Sequence, residues 1–167
     1  EKYLSLSKNH SHIHLENGST ASCYRIGDYV FKLIKTKWSY EDIICPNLYL
    51  ILPNLEEYLV RDEEGIVLAG FEVQKYLKRD AKNIPRYVFS DFKSELYKLG
   101  YYVNDELIDG ICGDNCRLLD SYQESGKENP PEWFKDYPLV LVDRDRVYKN
   151  NNKNNEKRNI MLKDFTK

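Results

Sequence analysis

Three histidines, His10, His12 and His14, occupy alternate positions, and Cys112 and Cys116 follow in a C-x-x-x-C spacing. Alternate residues of an extended segment share one face. Imidazole nitrogen and thiolate sulfur together are donors that zinc accepts. The thiol spacing departs from the tighter C-x-x-C pair, and histidines near a chain end are ordinarily solvated. Oxygen donors stand elsewhere. Asn115 precedes the apolar run Cys116-Arg117-Leu118-Leu119, and Asp143 closes the run Val140-Leu141-Val142-Asp143. An Asn at a turn and an Asp ending a strand are also routine structural placements. Lys32 lies mid-run in Val30-Phe31-Lys32-Leu33, where a lysine faces either solvent or a ligand. Gly18-Ser19-Thr20 combines small and hydroxyl side chains in turn chemistry. No Ser-His-Asp or Cys-His hydrolase signature and no dinucleotide-binding glycine pattern is present.

The elements that must position these residues follow from periodicity. His10 to Leu15 alternates, with Ile13 and Leu15 on one face of a strand. Asn17-Gly18-Ser19-Thr20 turns the chain into a second strand at Cys23-Tyr24-Arg25-Ile26. Gly27-Asp28 turns it again into Tyr29 to Ile34, which is β-branched and aromatic. Connections this short predict an antiparallel meander. Pro46 and Pro53 forbid one long helix between Trp38 and Leu52. Glu57 to Arg61 and Ile66 to Phe71 read as a hairpin around Asp62-Glu63-Glu64-Gly65, its second strand running on to Leu77. Phe92, Leu96 and Leu99 share a helical face, with Gly100 as the stop. A short helix is expected at Asp105 to Ile108, capped by Asn104. Cys116 to Leu119 and Leu139 to Asp143 form a strand pair separated by a long loop. Lys149 to Lys157 is low-complexity and polar, and is expected to be mobile and dispensable.

The chain has 167 residues, 41% hydrophobic and 31% charged, with a net charge of −2. Such a chain builds one globular core without staples. The charge excludes a general nucleic-acid or anionic-membrane binder. No apolar run approaches the roughly 18 residues of a membrane span. Glu1-Lys2-Tyr3-Leu4-Ser5 lacks the pattern of a signal peptide. The four cysteines, Cys23, Cys45, Cys112 and Cys116, read as reduced thiols. A cytoplasmic protein is expected.

The order of these features resembles the protein-kinase-like superfamily over roughly residues 12–148. Gly18, Ser19 and Thr20 stand where that family covers nucleotide phosphates, although Gly18 is the loop's single glycine. Lys32 is similar in placement to the strand lysine that pairs with phosphates. Glu41 and Glu56 are the candidates for its helix glutamate. Glu72 to Tyr76 resembles the linker whose backbone hydrogen-bonds adenine, which assigns Glu72 and Gln74 to cofactor binding. Asn115 and Asp143 resemble the pair that holds Mg²⁺ against phosphates. The family's catalytic Asp would fall on Gly110, so Asp109, one residue earlier, is the base that the resemblance offers. Asp143-Arg144-Asp145 replaces Asp-Phe-Gly.

The resemblance implies an α+β fold. It would have an antiparallel β-rich N-terminal lobe over residues 1–77 and a small helix-plus-β-hairpin lobe over 78–148. Residues 149–167 would be a polar tail. It also implies ATP and Mg²⁺ as cofactors and phosphoryl transfer to a small acceptor. A catalytically inactive, pseudokinase-like interaction module with a protein partner is the alternative of the same fold. An unrelated α+β binding domain is a third.

Overall fold

The computed structural model describes residues 13–17, 21–34, 38–39, 48–64, 66–103, 115–143 and 147–149. It is a mixed α+β structure dominated by antiparallel pairing. Strands β1 (Ile13–Asn17), β2 (Ala21–Ile26) and β3 (Tyr29–Ile34) form the expected meander. The β2–β3 turn uses Gly27 at φ 61°, a conformation that costs a residue without Cβ little. The register between β1 and β2 shifts between His14 and Glu16, so Leu15 occupies a bulge.

The organising strand is β6 (Ile66–Lys75). One of its edges pairs with β3, placing Lys32 opposite Glu72 and Val30 opposite Gln74, and with the short β4 (Trp38–Ser39). Its other edge pairs with β5 (Glu56–Arg61). The Asp62 carboxylate accepts from the Glu64 amide at 3.0 Å and starts the turn between β5 and β6.

After Tyr76-Leu77-Lys78 the chain enters a second sheet. Here β7 (Arg79–Asp80) pairs with β9 (Cys116–Leu118), and β9 with β10 (Leu139–Leu141). A two-stranded pair joins β8 (Tyr101–Val103) to β11 (Val147–Lys149). Lys149 therefore ends a strand rather than beginning a polar tail, and residues 150–157 of that expected mobile stretch lie outside the described residues.

Helix α1 (Arg86–Lys98) is longer than its periodicity suggested. Pro85 opens it with φ −60°, already near the helical value. Its buried face is Val88, Phe92 and Leu96 at four-residue spacing. Leu99 falls past the helix end and is 37% exposed, so it does not extend that face. Gly100, at φ 90°, closes the helix with its amide on the Tyr97 carbonyl. The expected short helix at 105–108 lies outside the described residues.

The stretch between β9 and β10 is not a bare loop. It contains a 3₁₀ turn (Tyr122–Ser125), whose N-cap Ser121 accepts from the Gln123 amide, and helix α2 (Glu132–Asp136) behind Pro131. Pro130 and Pro131 read as loop formers in sequence, but a proline just ahead of a helix favours its start. Phe134 of α2 is fully buried and meets Tyr49 edge-on at 5.0 Å.

The core gathers around α1, α2, β9 and β10, with Leu50, Ile51 and Leu52 packed into it. Ile51 forms a parallel bridge to Leu141, and the Leu52 amide donates to the Leu141 carbonyl at 2.9 Å. No helix among the described residues is long and apolar enough to cross a membrane. Cys23 and Cys116 are free thiols, as expected.

Candidate functional site

A cavity of about 350 Å³ opens where the six-stranded sheet meets the end of the β9–β10 hairpin. Its roof is the inner face of the sheet. Cys23, Lys32 and Glu72 are cross-strand neighbours on β2, β3 and β6, so their side chains leave the sheet on one side. Val30 and Gln74 are the next such pair on that face.

Lys32 is 8% exposed. Its ammonium donates to the Val142 carbonyl at 2.6 Å and to Asp143 Oδ1 at 3.2 Å. The two residues are 111 positions apart in sequence. A buried ammonium without partners would carry a large desolvation cost, and the end of the hairpin supplies both acceptors. The Asp143 side chain keeps 31% exposure and faces the cavity. The Gln74 side-chain amide also reaches Val142, at 3.2 Å, and the Leu52 carbonyl at 3.3 Å. One carbonyl oxygen thus ties the sheet to the hairpin twice.

Asn115 stands directly beside this point. The Val142 amide donates to the Asn115 carbonyl at 2.8 Å, extending the β9–β10 ladder by one rung. Asn115 and Asp143 are therefore near neighbours at the same end of the hairpin. Asp143 lines the cavity; Asn115 is not among its lining residues. No group of three or more His, Cys, Asp or Glu side chains capable of holding a metal occurs among the described residues. A metal at this place would rest on Asp143 and Asn115, with the remaining positions filled by ligand oxygens and water. That donor set suits Mg²⁺, which keeps several waters and takes few protein ligands.

The other expected site residues divide. Glu72 lies inside the ladder, buried between Lys32 and Glu57, and does not line the cavity. Gln74 lines it, but with a buried side chain committed to two carbonyls. The Tyr76 amide donates to the Asp28 carbonyl, so the backbone groups of Gln74, two residues back, also point toward β3. Lys75 points its backbone the opposite way, past Val73, whose carbonyl takes the Leu55 amide. The open backbone edge thus begins at Lys75 and not at Glu72. Glu56 starts β5 as an exposed residue opposite Val73, remote from Lys32 in register. Gly18, Ser19, Thr20, Glu41 and Asp109 lie outside the described residues, as do His10, His12 and Cys112 of the zinc reading. Cys116 of that reading is buried in the core.

Sequence reasoning missed the basic rim. Lys75, Lys78 and Lys82 line the cavity from the linker and the β7 turn, and Arg117 lines it from β9. The charge recurrence from Lys75 to Lys82 was a readable signal. Its convergence with Arg117 needed the β7–β9 pairing, which sets Asp80 opposite Arg117.

No protein-family model matches the chain, and no curated protein matches it significantly.

Proposed function

We propose that the chain is a nucleotide-binding domain of protein-kinase-like organisation, with Mg²⁺-dependent phosphoryl transfer to a small acceptor as its activity. The observation that carries this reading is the Lys32–Asp143 pair. A lysine from the third strand of an antiparallel sheet meets a carboxylate just beyond the second strand of a distant hairpin, over a cavity. Strand order β1-β2-β3-β6 with β5 on the far edge, and the linker from Gln74 to Lys78 bounding the cavity, support the same organisation.

The chemistry is charge placement. Lys32 neutralises phosphate oxygens as a point charge on a flexible stem. Asp143 and Asn115 supply hard oxygens for Mg²⁺, which bridges phosphates and offsets developing charge. The two roles compete with the 3.2 Å pair itself, so nucleotide entry separates Lys32 from Asp143. Gly18, Ser19 and Thr20 would cover the phosphates, and Asp109 would take the acceptor proton.

A thermal-shift scan with ATP and Mg²⁺ tests the reading. Binding raises the melting temperature by mass action, about 2.7 kcal/mol of stabilisation at a hundredfold excess over Kd. The shift should require Mg²⁺ and vanish in Lys32→Met. No shift at millimolar ATP would overturn nucleotide binding.

A second reading is favoured by one sequence feature. Gly110 stands at the spacing where the resemblance calls for the catalytic Asp. The same fold would then bind a nucleotide or a protein partner without transfer. Release of labelled γ-phosphate separates the two, because the non-catalytic module binds ATP and leaves it intact.

A further inference from the structure

The cavity carries more positive charge than one phosphate chain at Lys32 accounts for. Five basic side chains and two carboxylates line it. One carboxylate, Asp143, is held by Lys32, and one lysine, Lys75, is held by Glu124 at 2.9 Å. The second carboxylate, Asp80, accepts the Lys82 backbone amide at 3.1 Å, which folds the turn after β7 toward the cavity. Lys78 and Lys82 are both exposed, line the cavity, and have no ion pair among the described residues. Arg117 joins them from β9, oriented by a 2.9 Å bond from its guanidinium to the Cys116 carbonyl.

These cations lie at the end of the cavity remote from Lys32. Lys32 sits opposite Glu72, and the ladder continues to Tyr76, whose amide bonds Asp28. Four residues of strand span roughly 13 Å, and Lys78 lies beyond that point. The cavity between the two ends is walled by Val30, Leu52 and Leu77. It is thus an apolar slot with cations at both ends.

We infer that the ligand is a nucleotide with anionic groups at both ends, a second phosphate on its ribose being received by Lys78, Lys82 and Arg117. This rests on the nucleotide reading above and names the ligand class for the same cavity. Lys32 takes the 5′-phosphate chain. The linker and the apolar walls take the base. Lysine ammonium groups on mobile stems suit a ribose phosphate at either the 2′ or the 3′ position. Calorimetric titration with each isomer identifies which one is received.

The test uses the full chain with Mg²⁺ and compares ADP with its 3′-phosphorylated and 2′-phosphorylated derivatives. At least one derivative should bind about tenfold or more tightly than ADP, the return on one or two charge-assisted hydrogen bonds. The advantage should shrink as salt rises. In the double variant Lys78→Gln, Lys82→Gln it should disappear, while ADP affinity and the melting temperature stay unchanged. Both lysines are exposed, so the variant keeps the fold. If neither derivative exceeds ADP, or if the advantage survives in the variant, the second anion site is refuted while nucleotide binding stands. If ADP and both derivatives all fail to bind, the nucleotide reading falls and takes this inference with it.

Discussion

At the scale of single residues, the Lys32–Asp143 contact is asymmetric. Lys32 is 10% exposed in its side chain and Asp143 31%. Removing the carboxylate therefore strands a buried ammonium on one carbonyl, whereas removing the lysine leaves a carboxylate that water still reaches. An isolated Asp closing a strand would be expected to contribute little to stability. Its actual partner changes that. Asp143→Ala should lower stability by about 1–3 kcal/mol, and Lys32→Met by less, because methionine fills the same apolar space. Urea denaturation of both variants gives the order, and equal losses would contradict the asymmetry. Tyr49 offers a pH-dependent test. Its hydroxyl donates to Glu95 at 2.9 Å. Burial, then that bond, then the Glu95 charge push its ionisation above the usual tyrosine value of about 10. The folded state keeps this proton longer than the unfolded chain. The contribution is thus fully present below about pH 10 and is lost as pH rises from there toward the raised value. Tyr49→Phe should cost about 1–2 kcal/mol at neutral pH. It should also flatten the fall in melting temperature between pH 9 and pH 11. A fall as steep as wild type would show that another group controls it.

At the scale of elements, β6 is the strand on which most placement depends, and Gly70 shows why its sequence is constrained. Gly70 sits opposite Leu59 of β5 and Ile34 of β3. A Cβ there would collide with the Tyr58 carbonyl and press on Leu59. Gly70→Ala should cost about 1–3 kcal/mol, since two strands must shift to admit one methyl. It should also weaken ligand binding by displacing Glu72 and Gln74. A neutral effect in a melting curve would show that β5 moves away freely. The strands of the first half were legible because β-branched and aromatic runs alternate with strong turn pairs. Tyr29–Ile34 appears with the expected bounds. Helix α1 was half legible. Phe92 and Leu96 announced its face, but Val88 was hidden beside Tyr87 and Phe89, and Leu99 fits the period without being helical. The 3₁₀ turn and α2 were illegible for a different reason. Each is four or five residues long, too short for a periodic signal, and α2 is held by the burial of Phe134 against Tyr49 and Trp133. Of the candidate site, Lys32 and Asp143 were readable from their positions in strong strands. The Gln74 side-chain contacts and the basic rim depend on which elements meet, information that no local window contains.

At the scale of the whole molecule, apolar burial is uneven. Among the described residues, Ile26 and Val73 are the buried apolar side chains of the six-stranded sheet. The main core cluster lies with α1, α2, β9 and β10. The sheet meanwhile exposes Leu33, Tyr58, Val60 and Leu68. Apolar burial supplies most of the free energy that resists local opening, at about 25 cal/mol per Å². The sheet is joined to the hairpin chiefly through polar contacts, the Lys32 and Gln74 bonds to Val142, each of which contributes about 1 kcal/mol net. Two consequences follow for native-state hydrogen exchange. Amides of β9, β10 and α1 should exchange only through global unfolding. Those of β2, β3 and β5 should exchange through a sub-global opening at lower free energy. Phe134→Ala, which empties the centre of the core, should lower the global free energy by about 3–5 kcal/mol and narrow the gap between the two classes. A ligand held between sheet and hairpin acts on the gap from the other side. It binds the closed arrangement alone, so at saturation the β2 and β3 amides should gain protection by the full binding increment. Exchange at one uniform free energy in the ligand-free chain would show that the two halves unfold as one unit. Protection unchanged by ADP with Mg²⁺ in a chain that binds it would place the ligand elsewhere than this cavity.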